Sequence, residues 1–375
     1  MSAGAALLRL AALLRKETRQ LLRDKANLAV GLLLPVVLIL LFGYGLSFDV
    51  KQAPIAVVLE DRSPTAHDVL AALQGSPYLR PRWTDGMAEA EAALRAREVD
   101  AIVRLPVDFS RQFAAGRARV QLILNGADST TATTVERYVT GALGVRALRQ
   151  GDRAGSLASG GGVDVVQRMW FNEAGNSSWY LVPGLIVLVL TMIGAFLTSL
   201  LIAREWERGT LESLFVTPVR PLEIVLSKLL PYLAVGAIDL ALCLLAARFL
   251  FEVPIRGSLG VIVAVSLLYL AVSLLLGLFI SGVTRNQFQA SQVALLTSFL
   301  PALMLSGFVF DLRNVPLAIQ VISQVLPATH FMSLVKTLFL AGDNWPMVWR
   351  DGTILALYAL VLTWATRRQL RKSLQ

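Results

Sequence analysis

Ala174-Gly-Asn-Ser-Ser-Trp-Tyr-Leu-Val-Pro-Gly-Leu-Ile-Val-Leu-Val-Leu-Thr-Met-Ile-Gly-Ala-Phe-Leu-Thr-Ser-Leu-Leu-Ile-Ala203 runs for 30 residues without a charge. A helix crosses the roughly 30 Å hydrocarbon layer with about 20 apolar residues, so this stretch reads as a membrane span. Working outward, similar windows lie between Lys25 and Asp49, between Lys228 and Arg248 with only Asp239 interrupting, from Arg256 to Arg285, and from Arg285 to Asp311. A last window, Gly352 to Thr366, is short and borrows length from Trp345–Trp349. The uncharged run from Asn314 to Val335 is cut by Pro316 and Pro327 into pieces too short to cross, so residues 314–341 read as two short re-entrant helices. The fold class is a membrane all-α six-span body with an inserted extracytoplasmic α/β domain. Of the 375 residues 55% are hydrophobic and 16% charged, against about 25% charged in a soluble domain.

The net charge of +9 sits beside the apolar runs, where it orients a membrane protein; it gives no reason to expect a nucleic-acid partner. Six spans place both termini on one side. Arg9, Arg15, Lys16, Arg19, Arg23 and Lys25 precede the first span, and Arg367, Arg368, Arg371 and Lys372 follow the last. With the loops at 204–228 and Arg285, that side holds fifteen Lys/Arg against five in the short loops opposite. Both termini are therefore expected in the cytoplasm. Residues 1–25 place Leu7, Leu10, Ala11, Leu14, Leu21 and Leu22 on one helical face and Arg9, Lys16, Arg19 and Arg23 on the other, the pattern of an interfacial helix on the bilayer. Residues 26–48 are the first span, too long an apolar run for a cleaved signal peptide.

Residues 49–173 carry 15 Lys/Arg and 15 Asp/Glu, a soluble balance, and are expected outside the cytoplasm. Pro54–Leu59, Leu79–Trp83, Ala101–Val103 and Val120–Leu124 read as strands, alternating with helices that open at Ser63-Pro64, Ala88, Phe109 and Thr130. Alternation of this kind indicates a small α/β domain. Glu60-Asp61 follows the first strand, where α/β folds bind ligands, but paired acids at a turn are more often caps. Residues 174–375 hold the remaining five spans.

Catalysis has nothing to stand on. The single Cys243 and the two histidines, His67 and His330, exclude a disulfide framework and a cysteine metal cluster. No GxxxxGK[ST], HExxH, CxxC or GxSxG motif occurs, so the chain is not expected to be an enzyme or to bind a cofactor or metal. Asp239 is the one acid well inside a span. An acid there costs roughly 2.5–3.5 kcal/mol on insertion scales, so it is expected to face the interior, as a structural or pathway residue. The stretch Arg204–Lys228 is the most informative. Gly209 ends a helix, Thr210 can cap the next, and Leu211, Leu214 and Phe215 form an apolar edge on a short helix stopped before Pro218. Pro221 suits the first turn of the following helix, with Glu223 at its positive end. A short stiff helix between two spans can transmit force from a docked partner; Glu212 and Arg220 are the expected polar contacts, with Leu211, Leu214 and Phe215 expected to fill a groove on that partner.

Several segments together resemble type-2 ABC exporter permeases of the bacterial efflux subgroup with a large outer domain. They are Glu207-Arg-Gly-Thr-Leu-Glu212, Thr217-Pro-Val-Arg-Pro221 followed by Lys228, Trp179-Tyr-Leu-Val-Pro-Gly184, Leu305-Ser-Gly-Phe308, Leu326-Pro-Ala-Thr-His-Phe331, Phe42-Gly-Tyr-Gly-Leu46 and Ala56-Val-Val-Leu-Glu-Asp-Arg-Ser-Pro64. The resemblance implies that Glu207 to Pro221 couples to a separate ATPase subunit that binds ATP and Mg, with the N-terminal helix beside it. It implies that Pro327, His330 and Phe331 belong to an outer gate, and that a second permease chain, a copy or a sister, completes the pathway. It further implies a bacterial inner membrane, an amphiphilic or drug-like substrate, a periplasmic membrane-fusion adaptor as a further candidate partner, and a neutral residue where this chain has Asp239. The alternative from another class is a membrane-anchored receptor or assembly scaffold that binds through residues 49–173.

Overall fold

The computed structural model describes residues 3–45, 52–96, 98–115, 118–125, 129–154, 177–211, 216–309, 312 and 315–370. The chain divides into two compact units, one formed by Met1–Leu46 with Met169–Gln375 and the other by Ser47–Arg168.

The first unit is helical. Helix α1 (Ala3–Arg23) is followed, after Asp24, by α2 (Lys25–Gly45); α7 (Ser177–Glu207), α8 (Pro221–Leu245), α9 (Leu259–Thr284), α10 (Gln287–Ala294), α11 (Leu300–Leu305), α12 (Leu317–Gln324), α13 (Pro327–Leu340) and α14 (Trp345–Gln369) complete it. Five stretches are long and apolar enough to cross a membrane: Asn27–Gly45, Ser178–Glu207, Pro221–Leu250, Leu259–Thr284 and Gln287–Leu305. Helices α12 and α13 meet at 87°; Pro327 has no N–H to continue the first helix and instead opens the second. The last helix is longer than its uncharged window. Asn344 caps it, with Oδ1 accepting from Met347 N at 3.4 Å, and the buried Asp351 is ion-paired within it to Arg350 at 3.0 Å. Those two charges lie inside the helix, so the expected sixth span is not among the five.

Two glycines let α7 and α9 approach closely. A Cβ at Gly277 would lie 2.1 Å from Thr198 Oγ1 and 2.4 Å from the Ala195 carbonyl, and one at Gly194 would meet Ser273 at 2.6 Å. Small residues serve this purpose between membrane helices, where packing replaces the hydrophobic effect. Polar groups in the seam pair with each other. Thr198 Oγ1 lies 2.7 Å from the Gly194 carbonyl and 2.8 Å from the Leu274 carbonyl, and Ser281 Oγ accepts from Ile202 N and Ala203 N. A π-helical turn at Leu295–Phe299 separates α10 from α11. Pro301 follows it, so the irregular turn absorbs a missing donor.

The second unit holds β1 (Ala53–Leu59), α3 (Pro64–Gln74), β2 (Leu79–Thr84), α4 (Met87–Arg95), β3 (Ala101–Leu105), α5 (Phe109–Ala114), β4 (Gln121–Leu124) and α6 (Ser129–Ala154). The sheet order is β2-β1-β3-β4; β1 runs parallel to β2 and β3, and β4 runs antiparallel to β3. Strand β1 is almost wholly buried because both its faces are covered. Ile55 and Val57 pack with Leu70, Leu73, Phe109 and Val135 on one side, and Ala56 and Val58 with Ala90 and Ala93 on the other.

The chain leaves β1 toward β2 and then crosses to β3, so the carboxyl ends of β1 and β3 form a switch point where such sheets bind ligands. Here the chain's own acid fills that place. Asp61 Oδ1 accepts from Ser63 N at 2.9 Å and Oδ2 from Ser110 N at 2.7 Å, joining the starts of α3 and α5. Glu60 forms a two-point pair with Arg104 at 2.8 and 3.0 Å. Both acids are structural, as the capping reading expects.

The amides of Ser63 and Ser110 lower the Asp61 carboxyl from 3.8 to about 2. A depressed acid contributes stability that is complete above its unfolded value and is lost as pH falls through its folded value. Asp61→Asn is therefore expected to lower the melting temperature at pH 7, with the difference from wild type shrinking below pH 3.8 and vanishing only below pH 2. Thermal melting of both proteins across this pH range checks this; a gap that stays undiminished from pH 7 down to pH 2 assigns the effect elsewhere.

Candidate functional site

The described residues at both ends of the connection between α7 and α8 are held by local caps and hydrogen bonds. Helix α7 stops because Gly209 takes a left-handed conformation (φ +69°), which glycine adopts without a Cβ penalty. Thr210 and Leu211 then start a new helical turn and Val216 is helical; Glu212, Leu214 and Phe215 lie outside the described residues. Thr210 Oγ1 donates to the Glu205 carbonyl at 3.3 Å. Pro221 opens α8, where Glu223 Oε2 accepts from Arg220 N at 3.0 Å. Glu207 receives the Gln287 backbone N–H at 2.8 Å and the Gln287 side-chain amide, so it ties this connection to the start of α10.

One expectation is corrected. Leu211 is not available to a partner's groove: it is 1% exposed and held in the chain's own interior. Among the described residues of this segment Val216 is the apolar side chain presented outward, 89% exposed, next to exposed Thr217, Pro218 and Arg220. The apolar spacing in the sequence could not show that Leu211 turns inward, because that depends on packing against distant helices.

Beneath the segment lies a ring of four charges. Lys16 reaches Glu17 at 3.0 Å and Glu205 at 2.8 Å, and Lys228 reaches Glu17 at 3.2 Å and Glu205 at 2.9 Å. Signs alternate around it and the charge sums to zero. Glu17, Glu205 and Lys228 are all buried. Two further pairs flank the ring: Arg9 with Glu223 at 2.8 Å, and Arg204 with Asp24 at 2.7 Å. Helix α1 is thereby fixed to the last turn of α7 and the first turns of α8. Desolvation pulls the Lys16 ammonium down, yet Glu205 and Glu17 outweigh it and its pKa is raised. Burial works to raise Asp24, but bonds from Arg204 and Asn27 leave it lowered. The basic stripe of α1 shows in the sequence; the partners of Arg9 and Lys16, 189 to 214 residues away, do not.

The other singled-out residues fall elsewhere in the unit. Asp239 is fully buried with its side chain facing the interior, and neither carboxylate oxygen has a hydrogen-bond partner among the described residues. Pro327 marks the 87° bend. His330 Nε2 lies 3.0 Å from the Gln324 carbonyl and Nδ1 3.3 Å from Asp351, while Tyr358 OH donates to the Val325 carbonyl at 2.5 Å. These side chains satisfy carbonyls that the broken helix cannot. Phe331 stacks on Tyr269 at 4.3 Å. A polar-edged cavity of about 40 Å³, lined by Thr191, Tyr269, Ser273, Ser298 and Pro327 among others, adjoins the bend. Among the described residues no cluster of His, Cys, Asp or Glu could hold a metal.

Long apolar helices, one sharply bent pair and a charge-locked connection define a polytopic membrane transport protein. The chain belongs to the ABC-2 family: the model described as "ABC-2 family transporter protein" matches residues 25–368. It is 39% identical over 96% of its length to the "Probable multidrug ABC transporter permease YbhS" of Escherichia coli K12, covering 97% of that protein. It is 29% identical to the "Probable multidrug ABC transporter permease YbhR" of the same strain, over 92% of this chain and 93% of that one. With the "Inner membrane transport permease YhhJ" of that strain it shares 27% identity over 94% of each chain.

Removing one partner of a buried ion pair costs about 3–5 kcal/mol, so Lys228→Met is expected to destabilise the protein by that order. Glu17→Gln added to it should recover part of the loss. Melting of the purified protein checks both; additive losses would mean that the ring does not act as a unit. For Asp239 the sign reverses. An unpartnered buried polar group costs about 1–3 kcal/mol, so Asp239→Val should raise the melting temperature; a fall would show that the carboxyl is bonded.

Proposed function

We propose that the chain is the permease subunit of an ABC exporter that moves amphiphilic or drug-like molecules out of the cytoplasm or inner membrane. A separate ATPase, which binds ATP and Mg, docks on the connection between α7 and α8. The observation that carries this reading is the charge-locked base under residues 207–221. The segment presents Val216, Pro218 and Arg220 outward while the four-charge ring and the Glu207–Gln287 bonds root it in four helices. A partner that closes on ATP biases a pathway only through contacts that differ between its states, and a rigidly rooted segment passes such a displacement to α7 and α8 together. The names of the E. coli relatives, two of them multidrug permeases, support the same reading. The transport subunit itself carries out no chemical step.

A second permease chain, a copy or a sister, completes the pathway. The basic ends support a cytoplasmic position for both termini and the connection, on a bacterial inner membrane; the α/β unit then lies on the periplasmic face, open to substrate or to a membrane-fusion adaptor. The scaffold reading is less favoured, because an anchor needs no rooted segment between its helices.

In a Cys243→Ala background, Asp85→Cys should react with an impermeant thiol reagent in intact cells and Arg208→Cys only after lysis; the opposite pattern reverses the orientation. Val216→Asp combined with Arg220→Glu is expected to leave the protein in the membrane while reducing ATPase co-purification and drug efflux at least tenfold. Full ATPase binding and full efflux by that variant would remove the coupling assignment.

A further inference from the structure

Helix α1 has two charged sides, and only one of them is used within the chain. Arg9, Glu17 and Asp24 turn toward α7 and α8 and are ion-paired. Arg15, Arg19 and Arg23, spaced by four, are exposed and have no ion pair among the described residues. Beside them Leu7, Leu8 and Leu22 are 67, 75 and 65% exposed. The level of this face is fixed by its neighbours. The helix is paired to Glu205 in the last turn of α7 and to Glu223 in the first turn of α8, and the first apolar stretch begins at Asn27. It therefore runs where apolar helix surface gives way to charge, the depth of lipid headgroups.

We propose that this outward face binds anionic phospholipid, with Arg15, Arg19 and Arg23 contacting phosphate oxygens and Leu7, Leu8 and Leu22 resting among the upper acyl carbons. Three guanidiniums spaced one helical turn apart suit phosphodiester groups, since each offers a planar fork of donors. The leucines select a lipid over a free anion, because a soluble phosphate would leave them in water. The inference rests on the apolar helices and not on the export reading, so it stands or falls separately from ATPase coupling.

The full chain, delipidated in detergent, is titrated with phosphatidylglycerol, phosphatidylcholine or inorganic phosphate and examined by native mass spectrometry. Phosphatidylglycerol should be retained in preference to phosphatidylcholine. Each arginine near an anionic surface is worth about fivefold, so Arg19→Gln should weaken retention about that much and the triple variant Arg15→Gln, Arg19→Gln, Arg23→Gln should abolish the preference. Leu8→Ser with Leu22→Ser should weaken lipid retention as well. The four-charge ring is untouched in all of them, and a melting temperature equal to wild type confirms the fold. Equal retention of both lipids, a triple variant that keeps the preference, or displacement by millimolar inorganic phosphate would overturn the proposal.

Discussion

The Lys16–Glu17–Lys228–Glu205 ring is the constraint on which the rest of the helical unit depends. Four charges meet where α1, α7 and α8 converge, and three of them are buried. Replacing such a cluster with well-packed apolar residues often leaves stability unchanged or improved, so its value lies in registration. Hydrophobic contact between helices tolerates sliding and rotation; alternating charges at 2.8–3.2 Å do not. Fixing α1 against the last turn of α7 and the first turns of α8 sets the register of these three helices.

Away from that end, bond satisfaction replaces charge as the organising demand. Inside hydrocarbon every backbone group needs a partner, and the unit meets this at each irregularity. The bend before Pro327 exposes carbonyls that His330 and Tyr358 satisfy, and the close α7–α9 seam is bridged by Thr198 and Ser281. Asp239 departs from the pattern, buried with both oxygens unpartnered. Proteins keep such costly groups where function outweighs stability.

Helix placement was legible because its signals are local. Charge-free runs, Gly209 with its positive φ, and Pro221 and Pro327 at first turns each act within a few residues. The strands of the α/β unit likewise lie within two residues of their reading, since β1 carries an unbroken apolar run, Ile55–Leu59. What depends on three-dimensional pairing was not legible. Lys228 appeared only as part of a resemblance, and Glu17 and Glu205 had no role, because nothing local links residues so far apart. Leu211 turns inward although Gly209 ends α7 where the sequence places that end, because which face of the next turn is buried depends on packing against distant helices and not on a local signal. The acids after β1 could be read in two ways, and only the amides of Ser63 and Ser110 decide between them.

The ring also has a history in time. Glu17 and Lys228 are separated by 211 residues, and chains grow at roughly 5–20 residues per second during synthesis. Helix α1 is therefore made first but waits about 10–40 s before the ribosome delivers the cation that fixes it. Throughout that interval Glu17 has only Lys16, its sequence neighbour, to offset its charge, and α1 must remain at the bilayer surface, where water can reach a half-compensated acid. Helix α1 is thus made well before α7 and α8 and locked only after them, so that its correct docking reports that both have already entered the membrane.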